Sequence, residues 1–292
     1  MMRFVSGEEA TSVVDGFTFT GAQGDSYESG GMYLYGSSPT LTHIILTGNT
    51  GGYFGGGMEL WYASPSLSHV ILTGNTADYH GGGMFLYTSS PSLSHVILTG
   101  NTAKYSGGGM AMWYTSSPSL SHVILTGNRA DYSGGGMSMY DSSPSLDNAI
   151  IAYNTGGYNV DISGGAPTFN HCALYAPDGN IITGASLDGT NLTVEPGFLD
   201  DPIYDDTSGM WIIPDLHLAI DSPLVDAGDP DSEPDADGSS ADIGSYGGPN
   251  GGAWDLDDDG YPDYFWPGTL DDAPQGFDAS DYDADDTDGD IH

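Results

Sequence analysis

One phrase recurs along the first half of the chain at nearly constant spacing, and this leaves few folds open. GGM ends at Met32, and GGGM ends at Met58, Met84, Met110 and Met137, in steps of 26, 26, 26 and 27 residues. Ser-Pro recurs with Pro39, Pro65, Pro91, Pro118 and Pro144, and LTHIILTGN or LSHVILTGN ends at Asn49, Asn75, Asn101 and Asn128. A degenerate copy, LDNAIIAYN, ends at Asn154; GAPTFNHCALY (165–175) is a more worn one, and VVDGFTFTGA (13–22) is a leading half copy. Self-similarity at such a period marks a solenoid.

The unit is not helical. Each copy carries consecutive glycines, a proline and a β-branched run, which are strand and turn signals. The third copy predicts three short strands: Met84, Phe85, Leu86 and Tyr87; then Ser92, Leu93 and Ser94; then Val96, Ile97, Leu98 and Thr99. Met84, Leu86, Leu93, Val96 and Leu98 are expected inside, with Phe85 and Tyr87 outside. Stacking such units in parallel register makes an all-β parallel β-helix, each coil rising about 4.8 Å.

Stacking places equivalent residues above one another. The expected inner columns are Met32, Met58, Met84, Met110 and Met137; Leu34, Leu60, Leu86, Met112 and Met139; and Leu46, Leu72, Leu98 and Leu125. The asparagines from Asn49 to Asn154 can satisfy their amides from coil to coil. His43, His69, His95 and His122 form a column near a corner, read as turn residues, with metal binding the rival reading. Cys172, alone in the chain, is expected in the core.

Outside, Tyr35, Trp61, Tyr87, Trp113 and Tyr140 form one aromatic column, and Tyr27, Tyr53, Tyr79, Tyr105 and Tyr132 another. Three uses are open to them: self-stacking, a partner surface, or stacking on glycan rings. Ile45, Ile71, Ile97 and Ile124 also point outward, beside Thr47, Thr73, Thr99 and Thr126. An exposed row of this kind reads as an interaction face, with water ordering the lesser alternative.

Charge divides the chain. There are 41 Asp+Glu against 3 Lys+Arg, a net charge of −38. Residues 1–150 hold 10 of the acids and all the bases (Arg3, Lys104, Arg129), leaving 31 acids in 151–292, of which 29 are Asp. Such a surface repels phosphate backbones and anionic lipid, so nucleic-acid partners are excluded. No apolar run reaches the roughly 18 residues of a membrane-spanning helix, and MMRFVSGEEATSVVDGF lacks the apolar stretch of a signal peptide. An ordered acidic half needs bound cations, and short Asp side chains in loops suit hard oxygen coordination.

SPTLTHIILTGNT and its copies, followed by GGGM, resemble the right-handed parallel β-helix repeat proteins of bacterial surfaces, a fold shared with pectate lyases. The likeness covers about residues 13–185. DLHLAIDSPLVDAGDPDSEPDADGSSADIGSYGGP (215–249) resembles the closing segment of those proteins, in which an Asp-rich loop follows the last strand. DLDDDGYPDYFWPG through APQGFDASDYDADDTDGDIH (255–292) resembles the MopE-type metal-binding motif, with Ala284 where that family has Cys and Asp258 in place of a Gly. The division implied is 1–185 for the repeats, 186–250 for the last coils and Asp-rich closing segment, and 251–292 for an acidic Ca²⁺-binding segment.

Within that last segment Asp255, Asp257, Asp259 and Asp263 fall at loop positions 1, 3, 5 and 9, with Gly260 at 6. This is the spacing of a seven-oxygen Ca²⁺ loop. Position 12 is Trp266 rather than Glu, so Asp281, Asp283, Asp285 and Asp286 are the candidate completing ligands. Asp229, Asp231, Asp235, Asp237 and Asp242 form a second candidate set. Enzymatic signals are lacking: the bases sit on separate units, Glu59, Asp78, Asp131 and Asp141 are scattered, and no GxSxG, HExxH or P-loop occurs. The expectation is a non-enzymatic extracellular or cell-surface bacterial protein, a Ca²⁺-stabilised rod that self-associates into a fibre or surface layer. The rival is a carbohydrate-binding adhesin using the Tyr/Trp columns.

Overall fold

The computed structural model describes residues 1–25, 29–199, 203–207, 209–212, 215–235 and 238–251. Their regular elements are all strands, and no helix among them is long and apolar enough to cross a membrane. Three parallel sheets form a β-solenoid, two of them along its length and the third along its middle coils. The first has eight strands, beginning Met2–Phe4, Met32–Tyr35, Met58–Trp61 and Met84–Tyr87 and ending at Ile182–Thr183. The second runs from Val13–Thr20 through Thr40–Thr47, Ser66–Thr73, Ser92–Thr99 and Ser119–Thr126. The third is four two-residue strands, Thr50–Gly51, Thr76–Ala77, Thr102–Ala103 and Arg129–Ala130.

Like residues pair with like. Leu93 opposes Leu67 and Leu120, and Val96 opposes Val70 and Val123. The predicted inner columns are buried: the five methionines, Leu34, Leu60, Leu86 and Met112 and the Leu46 column are all fully enclosed. Cys172 also lies inside, where burial pushes its thiol up to about 12. The asparagine ladder is continuous. Asn49, Asn75, Asn101 and Asn128 each donate from Nδ2 to the Oδ1 of the next asparagine, at 2.9–3.1 Å, ending on Asn154. Each of those oxygens also accepts the backbone N–H of the asparagine before it. From Asn75 onward, Nδ2 donates to a leucine carbonyl of the preceding coil as well.

The strand division differs from expectation. Ser92–Thr99 is one strand bent at His95, whose φ is +53°, and the 102–103 sheet was not anticipated. One left-handed residue turns the corner while the ladder continues on both sides, so Leu93 and Val96 both face inward although three apart. His43, His69, His122, Asn148 and His171 take the same conformation at the same corner, confirming the histidines as turn residues.

The glycine triplets have a steric cause. Gly81 has a φ of +69°, and a Cβ on Gly82 would lie 2.5 Å from the carbonyl oxygens of both Gly108 and Thr102. The single 27-residue step is absorbed at another corner. Tyr114 and Thr115 have consecutive positive φ values of 49° and 54°, where the preceding copy has Thr88 alone. Register is kept on both sides, with Trp113 on Tyr87 and Ser119 on Ser92.

The outward isoleucine row is not free. Ile97, Ile124 and Ile150 are buried against Phe198, Leu224 and Ile243, while Ile45 and Ile71 stay partly exposed. The closing segment runs back along this flank. Gly244 N–H donates to the Asn148 carbonyl, and His95 and His69 meet the carbonyls of Gly247 and Asn250 at 3.1 and 3.2 Å.

Candidate functional site

The outer face of the first sheet carries most of the candidate surface. Its column Tyr35, Trp61, Tyr87, Trp113, Tyr140 is paired in register from strand to strand. Trp61 and Tyr87 stack at 4.3 Å. In the neighbouring column Tyr53 meets Tyr79 at 4.7 Å, Tyr79 meets Tyr105 at 4.9 Å and Tyr105 meets Tyr132 at 5.0 Å; the last two pairs are near parallel. Tyr27 lies outside the described residues. Rings spaced by the coil rise use their faces on each other. In this second column a ligand ring therefore finds open aromatic faces only at the ends of the described stack, and Tyr132 is its most exposed ring at 69%.

Phe85, expected outside among solvent, is fully buried. It does point outward, but Phe54 lies over it at 4.4 Å, with Trp61 and Trp113 at 6.1 and 5.3 Å. Glu59, one strand earlier, is also enclosed and accepts a 2.5 Å hydrogen bond from Trp61 Nε1. Burial pushes its carboxyl up to about 7, against the Trp61 bond and the Arg3 charge, which both pull it down. Asp78 pairs with Lys104 and Asp131 with Arg129 at 2.8 Å, and the Arg3 guanidinium sits 5.0 Å over the Tyr33 ring.

Toward the later coils the same face hollows. A groove of 360 Å³ opens among Trp113, Tyr114, Tyr140, Ser138, Asp161 and neighbouring serines. The sequence argument named Trp113 and Tyr140 but missed Ser106, Ser133, Ser138, Asp161 and Ser163. A signal was present: the row in register reads Phe85, Ala111, Ser138, Asp161, a loss of bulk along the column.

The histidine column stacks on the opposite flank, at 5.3, 5.0 and 5.1 Å between successive rings. Nδ1 of His69 and of His95 lies 2.8 Å from the hydroxyl of the preceding serine. Their Nε2 atoms face carbonyls, which can only accept, so both rings carry the Nε2 proton. Burial lowers the basicity of His69 and His122 and brings His95 down to about 4. With carbonyl and hydroxyl partners in place, these rings act in the corner and the closing contact.

Of the acidic candidates, Asp255, Asp257, Asp259, Asp263, Asp281, Asp283, Asp285, Asp286 and Asp237 lie outside the described residues. Asp229 accepts from Asp231 N–H at 2.9 Å and from Asn170 Nδ2 at 2.6 Å; the first of these bonds is the main cause holding its carboxyl below the usual range. Asp235 accepts from the N–H groups of Asp242 and Gly248, and Asp242 from Asp226 N–H at 2.7 Å. These carboxylates tie the closing loop to itself. Among the described residues no three His, Cys, Asp or Glu side chains gather as a metal site.

Stacked parallel coils with a self-satisfied asparagine ladder define a parallel β-solenoid repeat protein. No protein-family model matches the chain, and no curated protein matches it. Among solved structures, the chain is similar to HetL, a pentapeptide repeat protein involved in heterocyst differentiation regulation from the cyanobacterium Nostoc sp. strain PCC 7120. The identity is 16%, the coverage 63% of this chain and 85% of that one, and the TM-score 0.15. A score that low carries no argument about function.

Proposed function

We propose that the chain is a non-enzymatic structural protein of the bacterial cell exterior, a right-handed β-helix rod of the pectate-lyase-like surface type. In this reading Ca²⁺ on the MopE-like aspartates of 255–286 neutralises the acidic end, and rods join head to tail. The observation that carries it is the open end of the second sheet. Val13–Thr20 is the last strand of that sheet among the described residues, and Val13 and Phe17 on it are 61% and 55% exposed. A strand edge with no neighbour among the described residues and with exposed apolar side chains is a template for another strand. The ion-paired Asp78 and Asp131 and the enclosed Glu59 support a non-catalytic face.

The test is electron microscopy and sedimentation of the full chain with Ca²⁺ and with EDTA, alongside metal analysis. Fibres that shorten or dissolve on chelation are expected. Monomeric rods at every Ca²⁺ concentration overturn the assembly, and a metal-free protein overturns the Ca²⁺ role. A second reading, a carbohydrate-binding adhesin, is favoured by the groove at the far end of the aromatic face.

A further inference from the structure

Two rows of side chains meet on the outer face of the first sheet. One runs Tyr33, Glu59, Phe85, Ala111, Ser138, Asp161 along the paired strands. The other, from the preceding loops, runs Phe54, His80, Ser106, Ser133. In the early coils the rows fill one another, Phe54 covering Phe85. From Ala111 onward ring gives way to methyl, hydroxyl and carboxylate, and the 360 Å³ groove appears where the bulk is lost.

Its walls have distinct chemistry. Trp113 takes its contacts on one side from Phe54, His80 and Phe85, all of earlier coils, at 5.6, 4.7 and 5.3 Å. Its other side borders the groove. Tyr114, at the bend that absorbs the 27-residue step, and Tyr140 stand beside it, edge to face with each other at 5.3 Å. The floor is polar: the hydroxyls of Ser133, Ser138 and Ser163 and the carboxylate of Asp161 have no hydrogen-bond partner among the described residues. Ser138 lies on a strand paired on both sides and is only 7% exposed.

An aromatic wall facing unspent hydroxyls and a carboxylate matches a pyranose ring, which has an apolar C–H face and a rim of hydroxyls. The volume is at the small end for ligand pockets. The net charge of −38, with Asp161 in the floor, disfavours an anionic sugar. We propose that this groove binds a neutral hexopyranose unit of a polysaccharide, stacked on Trp113 with Asp161 accepting from a sugar hydroxyl. This deepens the adhesin reading, on which it rests, and is independent of rod assembly.

The test is native affinity electrophoresis of the full chain through gels holding β-glucan, galactomannan, galactan or starch, with polygalacturonate as the anionic control. Retardation by at least one neutral polymer is expected. It should weaken at least about tenfold in Trp113→Ala, the loss of one stacking contact, and vanish in Ser138→Phe, which refills the groove as Phe85 fills the earlier coil. Asp161→Asn, at a part-exposed carboxylate with no described partner, carries the test if either of those variants unfolds, and should also weaken binding. Tyr79→Ala, in the self-stacked column, should bind as the parent does. Retardation that survives Ser138→Phe but falls in Tyr79→Ala overturns the groove and leaves the adhesin reading standing. No retardation by any neutral polymer overturns both, and binding to polygalacturonate alone overturns the neutral class.

Discussion

The two flanks of the solenoid are finished in different ways. On the first-sheet side the repeat completes itself: tyrosines stack on tyrosines, and Phe54 from a loop seals Phe85. On the second-sheet side the same regularity produces an outward isoleucine row that it cannot cover, and the non-repeated segment carrying Phe198, Leu224 and Ile243 does so. A translational repeat can satisfy any group that bonds or stacks along the axis. It cannot bury an apolar row that faces sideways, because every copy presents the same unfilled face.

The sharpest way to break this comparison is inside the axis-directed ladder. Asn101→Ala should cost about 4 kcal/mol, because it removes the acceptor of the Asn75 backbone N–H and side-chain amide and one donor each to the Leu72 carbonyl and the Asn128 oxygen in the interior. Chemical denaturation would measure it, and a loss under about 1 kcal/mol would mean that the ladder is not a continuous unit.

Next is the sideways contact. Ile124→Ala removes a buried side chain and should cost about 3 kcal/mol. Hydrogen exchange should rise selectively across 215–251. Ile45→Ala, at the part-exposed end of the row, should cost about 1 kcal/mol or less. Equal losses at the two sites would sink the claim that the closing segment is what buries the row.

Acidity probes both flanks. His80, over Trp113, and His95, under the closing segment, titrate near 4 when folded, because burial disfavours the cation. The unfolded chain takes up those protons first as pH falls through 6.5. Their stabilising contribution is whole above that pH and is lost progressively down to about 4, by up to about 3 kcal/mol each. Glu59 runs the other way. Its folded carboxyl titrates near 7, so its contribution is whole below 4.5 and is lost as pH rises through 7. Parent stability should fall relative to His95→Gln as pH drops from 6.5 to about 4, and relative to Glu59→Gln as pH rises from 4.5 to about 7, two opposite slopes over overlapping windows in the unfolding curves. A similarly small effect belongs to Tyr105→Ala, which removes two stacked partners at a 42% exposed position and should cost about 1 kcal/mol in thermal unfolding.

What the sequence disclosed follows the same division. The period, the methionine and leucine columns and the asparagine ladder were legible because each depends only on a residue meeting its own copy one coil away, and the core cysteine because it falls at an inward position of a worn copy. The burial of Ile97 and Ile124 was not, since it depends on residues more than about 70 positions later with no periodic signature. His95 was read as a corner but not as a left-handed one, and that single φ merged two expected strands into one. The groove went unseen for a related reason. Attention to what recurs passes over the row in which Phe85 becomes Ala111 and then Ser138, where departure from the repeat makes the space.

The paired left-handed residues at 114 and 115 carry a consequence for how such a chain can change length. One added amino acid is accommodated there without displacing Trp113 from Tyr87 or Ser119 from Ser92. Further additions at that bend would extend into solvent beside a stiff, regularly ruled shaft. The bend is thus the molecule's natural splice point, where a foreign peptide could be mounted at a known height while the shaft beneath keeps its count.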